Sequence, residues 1–287
     1  MTIKKFITLV PNLLQPTVLI TIENILSFKH YLQSLGKKPY SAPIYVLGNQ
    51  KSGTSAIAGL LAKQFGLSLA SDLKNTNRKF SLYIKLKNGE ISFEEFISNN
   101  KFEFSHKLIK ESNLTIFYKG LFHHFPKSNF IFIIRDPRDN IRSILDRFNI
   151  PGNIQKLNPS HKKSIVYSWK LIFDMHCLGQ EEENFIENLS ARWNYIADIY
   201  LKNRDRMILV RYEDFVKDKI GLIDYLGQAL ELNQVHKINN IINHNFQPPG
   251  KNRNISWNNF FGRENLLKIE RKCRDHMENF DYNTSIK

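Results

Sequence analysis

Short runs of β-branched and aromatic residues at 44–47, 114–118, 130–134 and 207–210 have the length and composition of buried strands. Around them, apolar residues recur at helical spacing over 54–65, 137–148, 162–178, 185–201, 222–230 and 264–280. Strands alternating with helices predict an α/β fold, a parallel β-sheet flanked by helices. Ligands of such sheets bind beyond the carboxyl ends of the strands, so the residues just after each strand are where chemistry is sought. No internal repeat or low-complexity linker divides the chain. Residues 1–287 therefore read as a single domain, with 1–42 as an N-terminal extension.

The first strand runs directly into Gly48-Asn49-Gln50-Lys51-Ser52-Gly53-Thr54-Ser55 and then into a helical pattern. This strand, loop and helix form a P-loop-like phosphate cradle: the glycines let the backbone wrap closely, and successive N–H groups at a helix start favour an anion. The loop misses the nucleotide-triphosphatase pattern GxxxxGK[ST], because Thr54 stands where the lysine belongs and Lys51 comes earlier. A lysine after the second glycine reaches the β- and γ-phosphates of a triphosphate. A lysine inside the loop points instead at whatever is attached to a 5′-phosphate.

The strand at 130–134 ends in Arg135-Asp136-Pro137-Arg138-Asp139. Asp136 is a good N-cap, and Pro137 suits a first helical position. Arg135 then sits at the strand's carboxyl end, and Ser143 on the following helix can turn back toward it. A guanidinium fork with a hydroxyl makes a site for a second, separate phosphate. Arg138 and Arg142 read as solvated or locally paired.

The segments KSGTS and IRDPRDNIRSIL resemble the two phosphate-binding motifs of sulfotransferases that use 3′-phosphoadenosine 5′-phosphosulfate (PAPS). The likeness extends to the tyrosine-glutamate-aspartate segment at Tyr212 and to the late basic loop from Pro249 to Arg253. It implies that Gln50, Lys51, Ser52, Gly53, Thr54 and Ser55 hold the 5′-phosphosulfate, and that Arg135 and Ser143 hold the 3′-phosphate. Tyr212 would lie against the adenosine, and Gly250 with Lys251 or Arg253 would close over the 3′-phosphate. Cytosolic members of the family often carry a tryptophan after the cradle for adenine stacking, where this chain has Ala56. PAPS is then the co-substrate and no metal is required.

Lys51 is the candidate to stabilise charge on the departing phosphate. The resemblance is weaker for the base that takes the acceptor's proton. Cytosolic family members share a lysine-threonine-histidine at the end of the second strand. Aligned on the expected strand at 114–118, that end has Lys119 and no histidine. Another branch uses a carboxylate after the cradle helix, which points to Asp72. His106, His123 and His124 are the alternatives. Residues 73–113 carry no family landmark and read as the acceptor-recognition insertion, with basic residues including Arg78 and aromatics that suit either a pocket or core.

The chain has 41 Lys and Arg against 27 Asp and Glu, a net charge of +14, so its surface attracts anions. The basic residues are dispersed, which favours an anionic nucleotide and a small-molecule or glycan acceptor over nucleic acid. Two cysteines without ligand spacing support neither a disulfide framework nor a zinc site and fit a reducing, cytoplasmic setting. Prolines and polar residues interrupt the apolar start, against a signal peptide, and no run suggests stable membrane insertion. Two other readings stand beside the sulfotransferase: a P-loop small-molecule kinase, and a non-enzymatic basic module binding nucleotide or nucleic acid. Adenosine 3′,5′-bisphosphate bound tightly without magnesium excludes the kinase, and steep salt dependence toward oligonucleotides marks the basic module.

Overall fold

The computed structural model describes residues 16–179, 182, 184–248 and 250–284, and the side chains within these except 16–23 and 177. The start of the apolar N-terminal stretch, Pro249 of the basic loop, and Glu181 and Glu183 lie outside the described residues. A helix α1 (Pro16–Ser34) leads to strand β1 (Ile44–Gly48) and helix α2 (Thr54–Gln64). Strand β2 (Leu69–Ser71) and the short helices α3 (Lys74–Arg78), α4 (Ser81–Lys87), α5 (Phe93–Asn99) and α6 (Lys101–Phe104) follow. Next come β3 (Leu108–Lys110), α7 (Tyr118–His124), β4 (Asn129–Ile134) and α8 (Pro137–Arg147). The chain continues through α9 (Pro159–Ser164), α10 (Lys170–Phe173), α11 (Phe185–Leu201), β5 (Ile208–Arg211), α12 (Tyr212–Lys217), α13 (Lys219–Ala229) and α14 (Trp257–Glu278).

The strands form one parallel sheet in the order β2-β3-β1-β4-β5. Alternate residues of each central strand feed opposite faces. Tyr45, Leu47, Phe130, Phe132 and Ile134 pack under α8, α11 and α14, while Val46, Ile131 and Ile133 pack under α2 and α13. Both faces are covered, as the continuous apolar runs of β1 and β4 require.

The expected strand at 114–118 is a 3₁₀ segment (Ser112–Phe117) that continues into α7. Its apolar residues serve a helical stripe: Leu114, Tyr118 and Leu121 are all buried at i, i+4 and i+7. The true strand, β3, is only three residues long and ends in a lysine. It places the last part of the expected acceptor insertion inside the sheet. The expected helix over 162–178 is broken, because Ile165 is extended and Tyr167 has a φ of 56°. Trp257, Phe260 and Phe261 belong to the frame. The Arg138 guanidinium stacks 3.8 Å from the Trp257 ring centre, and both phenylalanines are buried. Arg138 and Arg142 are buried rather than solvated: Arg138 pairs with Asp136 and Glu270, and Arg142 with Asp139. Glu182 pairs with Lys272, and α11 opens on the Asn184 side chain, which caps Ile186 and Glu187.

Candidate active site

The carboxyl ends of β1 and β4 meet the loop before α2. Gly48 pairs with Ile133 at a φ of 133°, where an added Cβ would stand 2.2 Å from the Ile133 carbonyl oxygen, so only glycine lets the loop leave the sheet here. Gly53, with φ 92°, starts α2 without any side-chain cap, and the first turn of that helix carries no acidic residue. Its end is thus open to an anion.

The loop is held from behind by a buried polar network. Asn140 of α8 donates to the Gln50 carbonyl at 2.7 Å and to Ser52 Oγ at 2.9 Å. Arg192 of α11, fully buried, donates to Asn49 Oδ1 at 3.2 Å and to Gln50 Oε1 at 3.1 Å. Gln50 Nε2 donates to Asn113 Oδ1 at 2.8 Å. Polar groups this deep must be paired, and their pairing fixes the loop's shape.

Two cavities open on this loop. The first, about 290 Å³, is lined by Lys51, Gly53, Thr54, Ser55, Arg135 and Ser143, and further by Tyr212, Gly250 and Arg253. Arg135 donates from Nη1 to the Lys51 carbonyl at 3.0 Å and lies 4.6 Å from the Tyr212 ring centre. Its Nε is buried and has no hydrogen-bond partner, an orphan donor that suits a phosphate oxygen. The Tyr212 ring fills the space over Gly53, where a Cβ would stand 2.2 Å from the ring. Glu213 locks this segment, accepting from the Asp136 N–H at 3.0 Å and from the Tyr282 hydroxyl at 2.7 Å.

The second cavity, about 170 Å³, is lined by Gln50, Asp72, Lys110, Glu111 and Asn113 among others. Lys51, Thr54 and Gln247 line both cavities. Lys51 therefore stands at their junction, with a φ of 66° and its Nζ 3.4 Å from Gln247 Oε1. Burial, followed by repulsion from the Arg147 and Arg135 guanidinium groups, pulls its ammonium down to about 8.

Several residues named from the sequence sit elsewhere. Gln50 turns its side chain into the network and the second cavity, and buried Ser52 serves Asn140, so neither side chain lines the first cavity. Lys251 donates to Asn149 in a separate hollow, which leaves Arg253 as the basic side chain of that loop on the first cavity. Lys119 is exposed on α7 and borders neither cavity. The lysine at the end of the adjacent strand is Lys110, because that strand is β3. His106 precedes β3, at the amino end of the sheet, with its Nδ1 2.7 Å from the Phe102 carbonyl oxygen. It is at the wrong end of the strand to meet Lys51. His123 is exposed and His124 pairs with Glu94 at 2.8 Å, also away from both cavities.

Asp72 does reach the second cavity, immediately after β2, where its carboxylate pairs with Lys110. Glu111 was not singled out. It accepts from the Leu73 N–H at 3.0 Å, Asn77 Nδ2 at 2.7 Å and the Asn113 N–H at 2.9 Å. Burial and the Asp72 charge nevertheless push its carboxyl up. The segment around Phe246 and Gln247 was missed too: Gln247 Nε2 donates to Ser55 Oγ at 2.8 Å, and the Phe246 ring covers Gly59. Only an aromatic residue near the late proline pair hinted at it.

A phosphate cradle, an orphan guanidinium donor and a lysine at the junction of two cavities on a parallel sheet define a group-transfer enzyme built around a nucleotide. The chain belongs to the sulfotransferase domain family, whose model matches residues 42–273. Among solved structures it is similar to sulfotransferase STF9 from Mycobacterium avium, with 13% identity, a TM-score of 0.55, and coverage of 92% of this chain and 83% of that one. This likeness shows the fold. Weaker likenesses include the sulfotransferase domain from the curacin biosynthetic pathway, at 13% identity, TM-score 0.46 and coverage of 86% and 99%. Mouse sulfotransferase SULT7A1 complexed with PAP follows at 15% identity, TM-score 0.43 and coverage of 89% and 91%. Among curated proteins none matches the sequence. No described helix is long and apolar enough to cross a membrane.

Gly53→Ala is expected to weaken binding of adenosine 3′,5′-bisphosphate about tenfold or more, because the methyl must displace Tyr212 at a strained φ. Calorimetric titration reads this directly, and unchanged affinity would mean that Tyr212 and Gly53 do not shape the donor cavity.

Proposed function

We propose that this sulfotransferase transfers the sulfuryl group of PAPS to a hydroxyl or amine of a small-molecule or glycan acceptor. The observation that carries this reading is Lys51 at the junction of two cavities, one suited to a bisphosphorylated nucleotide and one to an acceptor. The nucleotide supplies an activated sulfuryl group on its 5′-phosphate, and the chain's own residues bind and orient it. The backbone amides of Gly53, Thr54 and Ser55 hold the 5′-phosphate, and Arg135 with Ser143 and Arg253 holds the 3′-phosphate. Phe215, Phe246 and Ala56, which also border the first cavity, offer the apolar surface for adenine that the missing tryptophan would have given.

Lys51 donates to the oxygen that gains charge as the sulfur leaves it, an interaction strongest in the transition state. Asp72 lies across the junction and takes the acceptor's proton. Its pairing with Lys110 orients it. The scheme needs no metal, and among the described residues no cluster of His, Cys, Asp and Glu could hold one. A cytoplasmic setting belongs to the same reading, in keeping with Cys273 as a free, buried thiol.

Sulfur-labelled PAPS offered with a panel of hydroxyl and amine acceptors tests this proposal. Labelled acceptor is expected with the native chain and a large loss with Asp72→Asn; a fully active Asp72→Asn would leave the transfer standing and remove the base. A pH profile adds a second check. Lys51 works as an ammonium and is pulled down to about 8, so kcat/KM should fall as pH rises through that value. Bound phosphate favours the ammonium, so the corresponding fall in kcat should come at higher pH. A kcat/KM flat well beyond pH 8 would contradict the role given to Lys51.

A further inference from the structure

We propose that the acceptor presents a neutral polyhydroxylated ring, as in a terminal sugar residue, and that the ring docks against Trp169. This deepens the sulfotransferase reading and rests on it. The second cavity, about 170 Å³, is smaller than the roughly 300–1,000 Å³ typical of pockets that enclose drug-sized ligands. A space of that size holds a single ring.

Its lining has two characters. The broken helical stretch after α9 supplies Tyr167, Trp169 and Ile172, an aromatic and apolar surface. Asp72 after β2, Asn77 of α3, and Ser112 and Asn113 at the start of the 3₁₀ segment beyond β3 form the other side. The amides on this polar side are held in place from behind. Asn77 donates to Glu111 and accepts from the Tyr83 hydroxyl at 3.2 Å and from Asn113 Nδ2 at 3.4 Å, and Asn113 accepts from Gln50 at 2.8 Å and from Arg192 at 3.4 Å, which leaves one N–H of each amide for a ligand. They are preorganised hydrogen-bonding groups, which favour a ligand with hydroxyls at fixed spacing.

Apart from Lys51, which faces the sulfuryl group, the charges of the cavity are already engaged. Lys110 pairs with Asp72, Glu111 takes three hydrogen bonds, and Arg78 also has interactions of its own. An ionic acceptor gains little there. A flat phenol or a sterol offers no hydroxyls at the spacing of the remaining amide N–H groups and of Ser112, and covering these groups without a partner is unfavourable. A sugar ring satisfies both sides, with its C–H face on the indole and its hydroxyls on the amides. One of those hydroxyls then lies between Asp72, which receives its proton, and the sulfuryl group beside Lys51.

The test compares methyl glycosides and short oligosaccharides with 2-naphthol and a hydroxysterol as acceptors for sulfur-labelled PAPS, while calorimetry follows adenosine 3′,5′-bisphosphate. The glycosides should lead by at least about tenfold in kcat/KM, since a site built to bond hydroxyls rejects ligands lacking them. Trp169→Ala should raise the glycoside KM about tenfold with bisphosphate affinity unchanged, and Trp169→Phe should restore most of it. Preference for naphthol or sterol, transfer to none of these with the bisphosphate bound, or a glycoside KM unmoved by Trp169→Ala would each overturn the proposal. Failure to bind the bisphosphate would instead fell the sulfotransferase reading beneath it.

Discussion

Lys51→Ala is expected to lower kcat by about 10²–10³-fold, the range for removing one donor aimed at developing charge. Affinity for adenosine 3′,5′-bisphosphate should change far less, because the loop amides and Arg135 remain. The split follows from position. Lys51 borders both cavities, where the proposed scheme has the sulfuryl group pass, whereas the scheme rests the phosphate of the nucleotide on backbone groups in ground and transition state alike. Single-turnover transfer from labelled PAPS, paired with calorimetry on the same variant, separates the two quantities. Equal losses in binding and turnover would make Lys51 a binding residue; undiminished turnover would remove it from the chemistry.

Arg135→Ala should have the second large effect, this time on binding. A hydrogen bond to a charged group contributes about 1.5–3 kcal/mol, so affinity for the 3′,5′-bisphosphate should fall about 10–10²-fold. Adenosine 5′-monophosphate should lose less, since it lacks the second phosphate. Some loss is expected for both ligands, because Arg135 also ties the Lys51 carbonyl and stacks on Tyr212. The discriminating quantity is the ratio of the two affinities. A ratio unaltered by the substitution would mean that Arg135 shapes the loop and does not contact the 3′-phosphate.

The donor side of the site was legible in the sequence because it is local. Gly48 to Ser55 is one continuous loop, and Arg135 and Ser143 flank a single strand-to-helix junction whose proline and aspartate announce it. The second cavity, the proposed acceptor side, comes together from separate stretches, after β2, at β3, around Trp169 and at Gln247. No spacing rule links such pieces. The strands β1, β4 and β5 carry runs long enough to read, whereas β2 and β3 have three residues each. Mistaking the helical stripe of Leu114, Tyr118 and Leu121 for a strand had a chemical consequence: it put Lys119 where Lys110 belongs and left His106 in contention. Arg192 gave no signal at all. In sequence it is one polar position on a long helix, and only burial against Asn49, Gln50 and Asn113 reveals that it joins the loop to the acceptor wall.

The claim that Lys51 serves a bisphosphorylated donor, and not a triphosphate, is tested most directly without any acceptor. Calorimetric titration in the presence of a magnesium chelator should give adenosine 3′,5′-bisphosphate an affinity about 10–10²-fold above that of adenosine 5′-monophosphate, the expected worth of the second phosphate site. ATP bound more tightly than the bisphosphate, and only when magnesium is supplied, would contradict it.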